Sequence, residues 1–177
     1  MPVPLSQPAP SPRAPLLGLH QSTVFAVEVE RKFLVTDPPA LEAAAGDEID
    51  QGYLAIGSDG EVRLRNKGGR YQLTAKRGSG LSREEGEIEV DRERFAELWP
   101  LTVGRRLHKR RHALPHGDLT IEIDVYAGDL DGLIVAEIEF PSEEDARAFD
   151  PPTWLGDEVT GDRRYLNETL ATEGRPD

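Results

Sequence analysis

The chain has 177 residues, a length that suits one domain with its own core. Its 33 Asp and Glu outnumber 21 Lys and Arg for a net charge of −12, which argues against general nucleic-acid binding, since that needs a basic surface. The absence of cysteine excludes disulfides, thiolate metal sites and a Cys nucleophile, and it agrees with a reducing cytoplasm.

Residues 1–24 are proline-rich, nearly uncharged and aperiodic, and are expected to form a flexible extension. Leu16-Leu17-Gly18-Leu19 is too short for a signal-peptide core, and no run approaches the roughly 18 apolar residues of a membrane span, so a cytoplasmic protein with no membrane partner is expected. From Phe25 onward the pattern predicts strands over 25–35, 48–55, 61–66, 70–76, 86–91, 103–113, 118–127 and 132–140. Turn signals separate them at Ser58-Asp59-Gly60, Lys67-Gly68-Gly69, His116-Gly117-Asp118 and Leu130-Asp131-Gly132. Helices are predicted over 92–99, over 142–149 behind the N-cap Ser142, and over 162–171, where Tyr165, Leu166 and Leu170 share a side. Residues 25–172 thus read as one mainly β (α+β) domain, followed by a short flexible tail over 173–177.

Charge recurs along these strands at a spacing of two. Glu28, Glu30 and Lys32 open the series, and Arg63 with Arg65, Glu87 with Glu89, Lys109 with Arg111, Glu122 with Asp124 and Glu137 with Glu139 continue it. Side chains alternate across a strand, so each set shares one face while Val29, Leu64, Ile88, Ile123 and Ile138 occupy the other. An aliphatic face must be covered, and helices outside a closed sheet would cover it. The charged faces then line a polar lumen, the interior of a closed eight-stranded antiparallel barrel. Burying so many charges unpaired is prohibitive, so the lumen is expected to hold water, divalent cations and a polyanion. Carboxylates are suited to metal, and Lys and Arg to phosphate oxygens. His20, His108, His112 and His116 lack zinc-ligand spacing, and hard cations such as magnesium or manganese fit the oxygen-only donor set better.

In order, the chain reads Glu28-Val29-Glu30-Arg31-Lys32, Gly52-Tyr53-Leu54, Val62-Arg63-Leu64-Arg65 and Leu73-Thr74-Ala75-Lys76. It continues through Glu87-Ile88-Glu89, Lys109 with Arg111, Glu122-Ile123-Asp124 and Ala136-Glu137-Ile138-Glu139. Trp154-Leu155-Gly156, Glu158-Val159-Thr160 and Arg164-Tyr165 close the series. This ordered set resembles the CYTH, or triphosphate tunnel metalloenzyme, superfamily over about residues 27–171, and within it the short bacterial members of inorganic triphosphatase type. The resemblance implies a tunnel that takes a linear triphosphate with magnesium or manganese. By analogy Glu28, Glu30, Asp124, Glu137 and Glu139 are candidate metal ligands, and Lys32, Arg63, Arg65, Lys76, Lys109 and Arg111 candidate phosphate ligands. Glu87, Glu89 and Glu122 follow as outer-shell or second-metal groups, and Arg163 as a residue at the tunnel mouth.

Attack on a terminal phosphoryl group needs charge neutralisation, in-line water and a stabilised leaving group, and no protein nucleophile. Glu139 is the candidate to orient or deprotonate the water, and Lys109 to neutralise or protonate the departing diphosphate. Tyr53 reads either as an aromatic of the lumen wall or as a phosphate donor through its hydroxyl. The favoured reading is hydrolysis of inorganic triphosphate to diphosphate and orthophosphate by a monomer or homodimer. Class IV type adenylate cyclase chemistry, thiamine triphosphate hydrolysis and non-catalytic polyphosphate binding stay open, because specificity would reside in loops without readable motifs.

Overall fold

The computed structural model describes residues 26–39, 41, 45–78 and 82–176. The expected N-terminal extension, residues 1–24, lies outside them, as does Asp177 at the end of the expected tail. The strands are β1 (Ala26–Leu34), β2 (Gly46–Ile56), β3 (Gly60–Lys67), β4 (Arg70–Arg77), β5 (Ser82–Glu89), β6 (Arg106–His116), β7 (Leu119–Ala127) and β8 (Ile134–Phe140). Three short helices join them: α1 (Arg92–Leu98), α2 (Glu143–Ala148) and α3 (Asn167–Glu173). No helix among the described residues is long and apolar enough to cross a membrane.

All neighbouring strands pair antiparallel, and their order β1-β5-β4-β3-β2-β6-β7-β8 returns to β1. The ring is tight everywhere except at β1. There β5 pairs only as far as Val29, leaving the rest of that edge without a strand partner. The segment 156–160 takes over: Gly156 donates its N–H to the Leu34 carbonyl, Leu34 to Asp157, and Val159 to Lys32. The expected closed barrel is therefore a curled eight-stranded sheet whose seam is part strand and part strap. A Cβ on Gly156 would sit 2.9 Å from the Leu34 oxygen, so the close approach of the two backbones requires glycine in the Trp154-Leu155-Gly156 motif.

Local sequence explains most element boundaries. Gly68 and Gly69 both have positive φ, the requirement of a two-residue type I′ hairpin, and they turn β3 into β4. Asp91 caps α1 by accepting from the Arg94 N–H, and Ser142 caps α2 by accepting from Asp145. Most boundaries shift by one to three residues, and three differences stand out. The strand expected over 103–113 begins only at Arg106, because a 3-10 turn over Trp99–Thr102 and the positive φ of Gly104 precede it. β5 starts at Ser82, four residues before its expected beginning. The helix expected over 162–171 is broken at Leu166, whose extended backbone separates a 3-10 turn, Arg163–Tyr165, from α3.

The aliphatic faces are covered as the alternation demands. Val29, Phe33, Ile121, Ile123 and Ile138 pack beneath α2 and the segment bearing Trp154 and Leu155. A second cluster, Leu107, Tyr126, Leu130, Leu133 and Val135, receives Leu170 of α3, which seats the last helix against one end of the sheet. Burial of each such side chain contributes about 1.5–3 kcal/mol.

The strap is pinned from outside by Arg31, the one outward residue of the opening charged run. Its guanidinium donates to both Glu158 oxygens, at 2.9 and 2.7 Å, and to the carbonyls of Ala146 and Phe149, at 3.0 and 2.9 Å. Arg31→Ala strands two carbonyls and one carboxylate at once, and should lower the unfolding free energy by about 1–3 kcal/mol in urea titrations. Hydrogen exchange at the Leu34 and Val159 amides should accelerate before that of the β6–β7 pair. Unchanged exchange at the seam would show that the backbone bonds alone hold the strap.

Candidate active site

The alternation places the charged residues inside the curled sheet. An inner cavity of about 200 Å³ is lined by Lys32, Arg63, Arg65, Lys67, Lys76 and Arg111, facing carboxylates that include Glu28, Glu30, Glu122, Glu137 and Glu139. An outer cavity of about 300 Å³ adjoins it, bounded by Gly57, Ser58 and Gly60 of the β2–β3 turn and by 159–163 of the strap. Glu30, Lys32, Glu61, Lys76, Leu166 and Glu168 border both.

Beneath the inner cavity lies an ion network. Asp124 has no exposed surface, and its carboxylate accepts from Lys109 Nζ at 2.5 Å and from Nε and Nη2 of Arg111 at 2.6 Å each. Arg111 also reaches Glu122 and Glu137, and Glu137 accepts from Lys32 Nζ at 2.9 Å. Burial pushes Asp124 and Glu137 up, but Arg111 with Lys109, and Lys32 with Arg111, more than offset it and hold both below the ordinary carboxylate range. Burial moves Lys109 the other way, down to about 8, although Asp124 opposes it. Arg65 is lowered to about 10 by burial and by the repulsion of Arg63 and Arg111, and its Nε donates to Gln51 at 3.0 Å.

A second cluster sits at the β1–β4–β5 side. Lys76 Nζ lies 2.7 Å from Glu28 and also pairs with Glu85. Burial and a hydrogen bond to Glu85 raise the Glu28 carboxyl, whereas in Glu85 that bond and Lys76 outweigh burial and lower it. Glu139 is raised by burial and by the charges of Glu122 and Glu30. Arg63 lines the lumen and is 5% exposed, and its buried Nε has no hydrogen-bond partner among the described residues.

Expectation and placement part company at several residues. Lys109 and Asp124 lie under the cavity and line neither space. Tyr53 is fully buried, accepts from Gln51 Nε2 at 2.6 Å, and borders neither cavity. Glu87 and Glu89 are exposed, and Glu87 accepts from Gln72 and Thr74 away from the inner cavity. Arg163 is exposed and lines the outer cavity. Three acidic residues at the cavities were missed. Glu61 and Glu85 continue the spacing of two by one step, and each lay at or before an expected strand start. Glu168 lies in the helix expected over 162–171, where no charge spacing singles it out. The outward members of the basic run have partners away from the lumen: Arg110 pairs with Glu48, His108 contacts Glu48 and Asp50, and Arg106 stacks on Trp99.

Among the described residues no three His, Asp or Glu side chains already form a metal shell. Asp124 and Glu137 are occupied by Lys and Arg. Glu30 and Glu139, with Glu122 beside Arg111, are oxygen donors whose repulsion at Glu139 a hard cation would relieve, so the donor chemistry fits magnesium or manganese.

Because Asp124 and Glu137 titrate below their unfolded values of 3.8 and 4.5, the folded state binds fewer protons than the unfolded state across that range. The stability they contribute is present above about pH 4.5 and is lost as the pH falls through their folded values. Urea titrations should give an unfolding free energy that drops steeply below about pH 4.5. Glu137→Gln should be less stable by about 3–5 kcal/mol at pH 6, because it leaves Lys32 and Arg111 short of a counter-ion, and should show a shallower acid slope.

No protein-family model matches the chain. It is 50% identical over 147 residues to an inorganic triphosphatase of Nitrosomonas europaea, covering 81% of this chain and 96% of that one. It is 37% identical over 145 residues to an inorganic triphosphatase of Acetivibrio thermocellus, covering 81% and 92%. A crystal structure of an inorganic triphosphatase matches with a TM-score of 0.63 at 44% identity, covering 82% of this chain and 94% of that one. The alternating charged strands, their curled sheet and these likenesses agree, and the chain belongs to the inorganic triphosphatase family of the CYTH superfamily.

Proposed function

We propose that the chain hydrolyses inorganic triphosphate to diphosphate and orthophosphate within the inner cavity, with the curled sheet acting as a tunnel. The observation that carries this reading is a lumen lined by six Lys and Arg side chains that approach from β1, β3, β4 and β6, enough to surround a linear polyanion. Membership in a family of enzymes named inorganic triphosphatases supports the same chemistry.

Arg63, with its unpartnered Nε, Arg65 and Lys76 hold phosphate oxygens, and Lys32 and Arg111 do so while retaining Glu137 as internal counter-ion. Glu30, Glu122 and Glu139 are the ligands for magnesium or manganese, with Glu28 beside Lys76 as a further donor. When bound, the ion supplies charge neutralisation on the phosphoryl oxygens. Glu139 lines the lumen with its carboxyl raised by burial and by Glu122 and Glu30, which suits it to orient the attacking water and accept its proton. Lys109 acts from below: it fixes Asp124, Asp124 fixes Arg111, and Arg111 faces the substrate. It is thus a positioning residue and does not touch the departing diphosphate.

Phosphate release should be measured from tripolyphosphate, ATP and thiamine triphosphate, with magnesium, with manganese and with chelator, while cyclic AMP is followed in the ATP reaction. Metal-dependent release from tripolyphosphate is expected to dominate. Arg63→Ala should lower kcat/KM for tripolyphosphate by about 100-fold. Dominant cyclic AMP formation, or turnover that survives chelation, would overturn this reading.

A further inference from the structure

The two cavities share a boundary lined by Glu61 of β3 and Glu168 of α3, together with Glu30, Lys32, Lys76 and Leu166. Its two sides are unequal in charge. The inner space adds Arg63, Arg65, Lys67 and Arg111 to the lysines of this boundary, whereas among the described residues the outer space adds only Arg163, which is exposed. Most inner carboxylates are tied to a cation: Glu28 and Glu85 to Lys76, Glu122 to Arg111, Glu137 to Lys32 and Arg111. Glu61 is compensated less, with its nearest Arg63 nitrogen 3.9 Å away, and Glu168 makes no ion pair among the described residues. Both carboxyls also act on the fully buried Tyr53. The helix bearing Glu168 is fixed in place by Leu170 in the core and by Asn167, which accepts from Tyr126 Oη at 2.6 Å and from Lys109 Nζ at 3.4 Å.

We propose that Glu61 and Glu168 are specificity-determining residues, whose paired carboxyls form an anionic neck that stops a linear polyphosphate after its third phosphate. The proposal rests on the reading that triphosphate occupies the inner cavity. Three phosphates are met by the inner Lys and Arg side chains, and a fourth would have to pass Glu61 and Glu168, at a boundary whose Lys32 and Lys76 already pair with Glu137, Glu28 and Glu85, into a space where Arg163 is the one further cation among the described residues. Like charges brought together in a partly desolvated neck repel strongly, which makes exclusion by charge effective without a steric wall. Burial and the neighbouring Glu168 raise the Glu61 carboxyl to about 7, with Arg63 and Lys76 opposing, so the negative charge of the neck grows as pH rises through neutrality.

Magnesium-dependent kcat/KM should be compared for tripolyphosphate, tetrapolyphosphate and ATP in the natural chain, in Glu61→Gln and in Glu168→Gln. Each substitution should raise the tetrapolyphosphate-to-tripolyphosphate ratio by about tenfold. The ATP-to-tripolyphosphate ratio should stay within about twofold, because a nucleoside brings no charge into the neck. A tetrapolyphosphate ratio that does not move in either variant overturns the proposal. So does an ATP ratio that rises in step with it, since that would mean bulk and not charge was relieved. If the natural chain does not turn over tripolyphosphate, the hydrolase reading itself fails, and the same two ratios are then read from calorimetric dissociation constants.

Discussion

Asp124 accepts hydrogen bonds from Lys109 and Arg111 with no exposed surface of its own, and the rest of the interior is arranged around that pairing. A lone charge at such a site would be driven to neutrality or would cost several kcal/mol. The network removes that cost by compensating each ion from a different strand: Lys109 and Arg111 from β6, Asp124 and Glu122 from β7, Glu137 from β8 and Lys32 from β1. Four consecutive strands of the ring are therefore locked in register by charge as well as by backbone hydrogen bonds. A one-residue slip would send these groups into the aliphatic layer and that layer into the lumen.

The same network divides labour among the cations. Those fully enclosed, above all Lys109, are spent on holding Asp124, and hence Arg111, in place. Those that reach the cavity keep capacity for a ligand, most plainly Arg63, whose ion pairs with Glu61 and Glu85 are long at 3.9 Å each. A preorganised array of this kind suits phosphoryl chemistry, where positioning and electrostatic stabilisation account for most of the rate and the surroundings should not have to rearrange as charge develops.

The seam ties this interior to the C-terminal third of the chain. Past Val29 the free edge of β1 is covered by 156–160, and from that strap the backbone runs directly to Leu166 and Glu168 at the cavity boundary. Arg31 points away from the lumen, yet it anchors the strap to β1 and to the carbonyls of Ala146 and Phe149. The outward charged residue in the run Glu28-Val29-Glu30-Arg31-Lys32 thus anchors the strap while Glu28, Glu30 and Lys32 line the interior.

Much of this was legible in the linear chain. Antiparallel strands with charge on one face and Val, Ile or Leu on the other need only the period of two, so the strands and the side each charge faces follow from local spacing. Depth does not follow from spacing. Lys109 and Arg111 share a face, but curvature of the sheet and the seating of α3 put one beneath the cavity and the other in its wall. Glu87 and Glu89 likewise share the inward parity of Glu85, and only their position along the ring leaves them exposed. Glu168 joins Glu61 from more than a hundred residues away, a meeting decided by how α3 packs on Leu107 and Tyr126. The sequence by itself determined the strands, the lumen-facing residue types and the polyanion chemistry, because these rest on local periodicity and charge. Which of those residues reach the cavity, and which line the boundary between its inner and outer parts, was decided by tertiary structure, because both depend on closure among segments far apart in the chain.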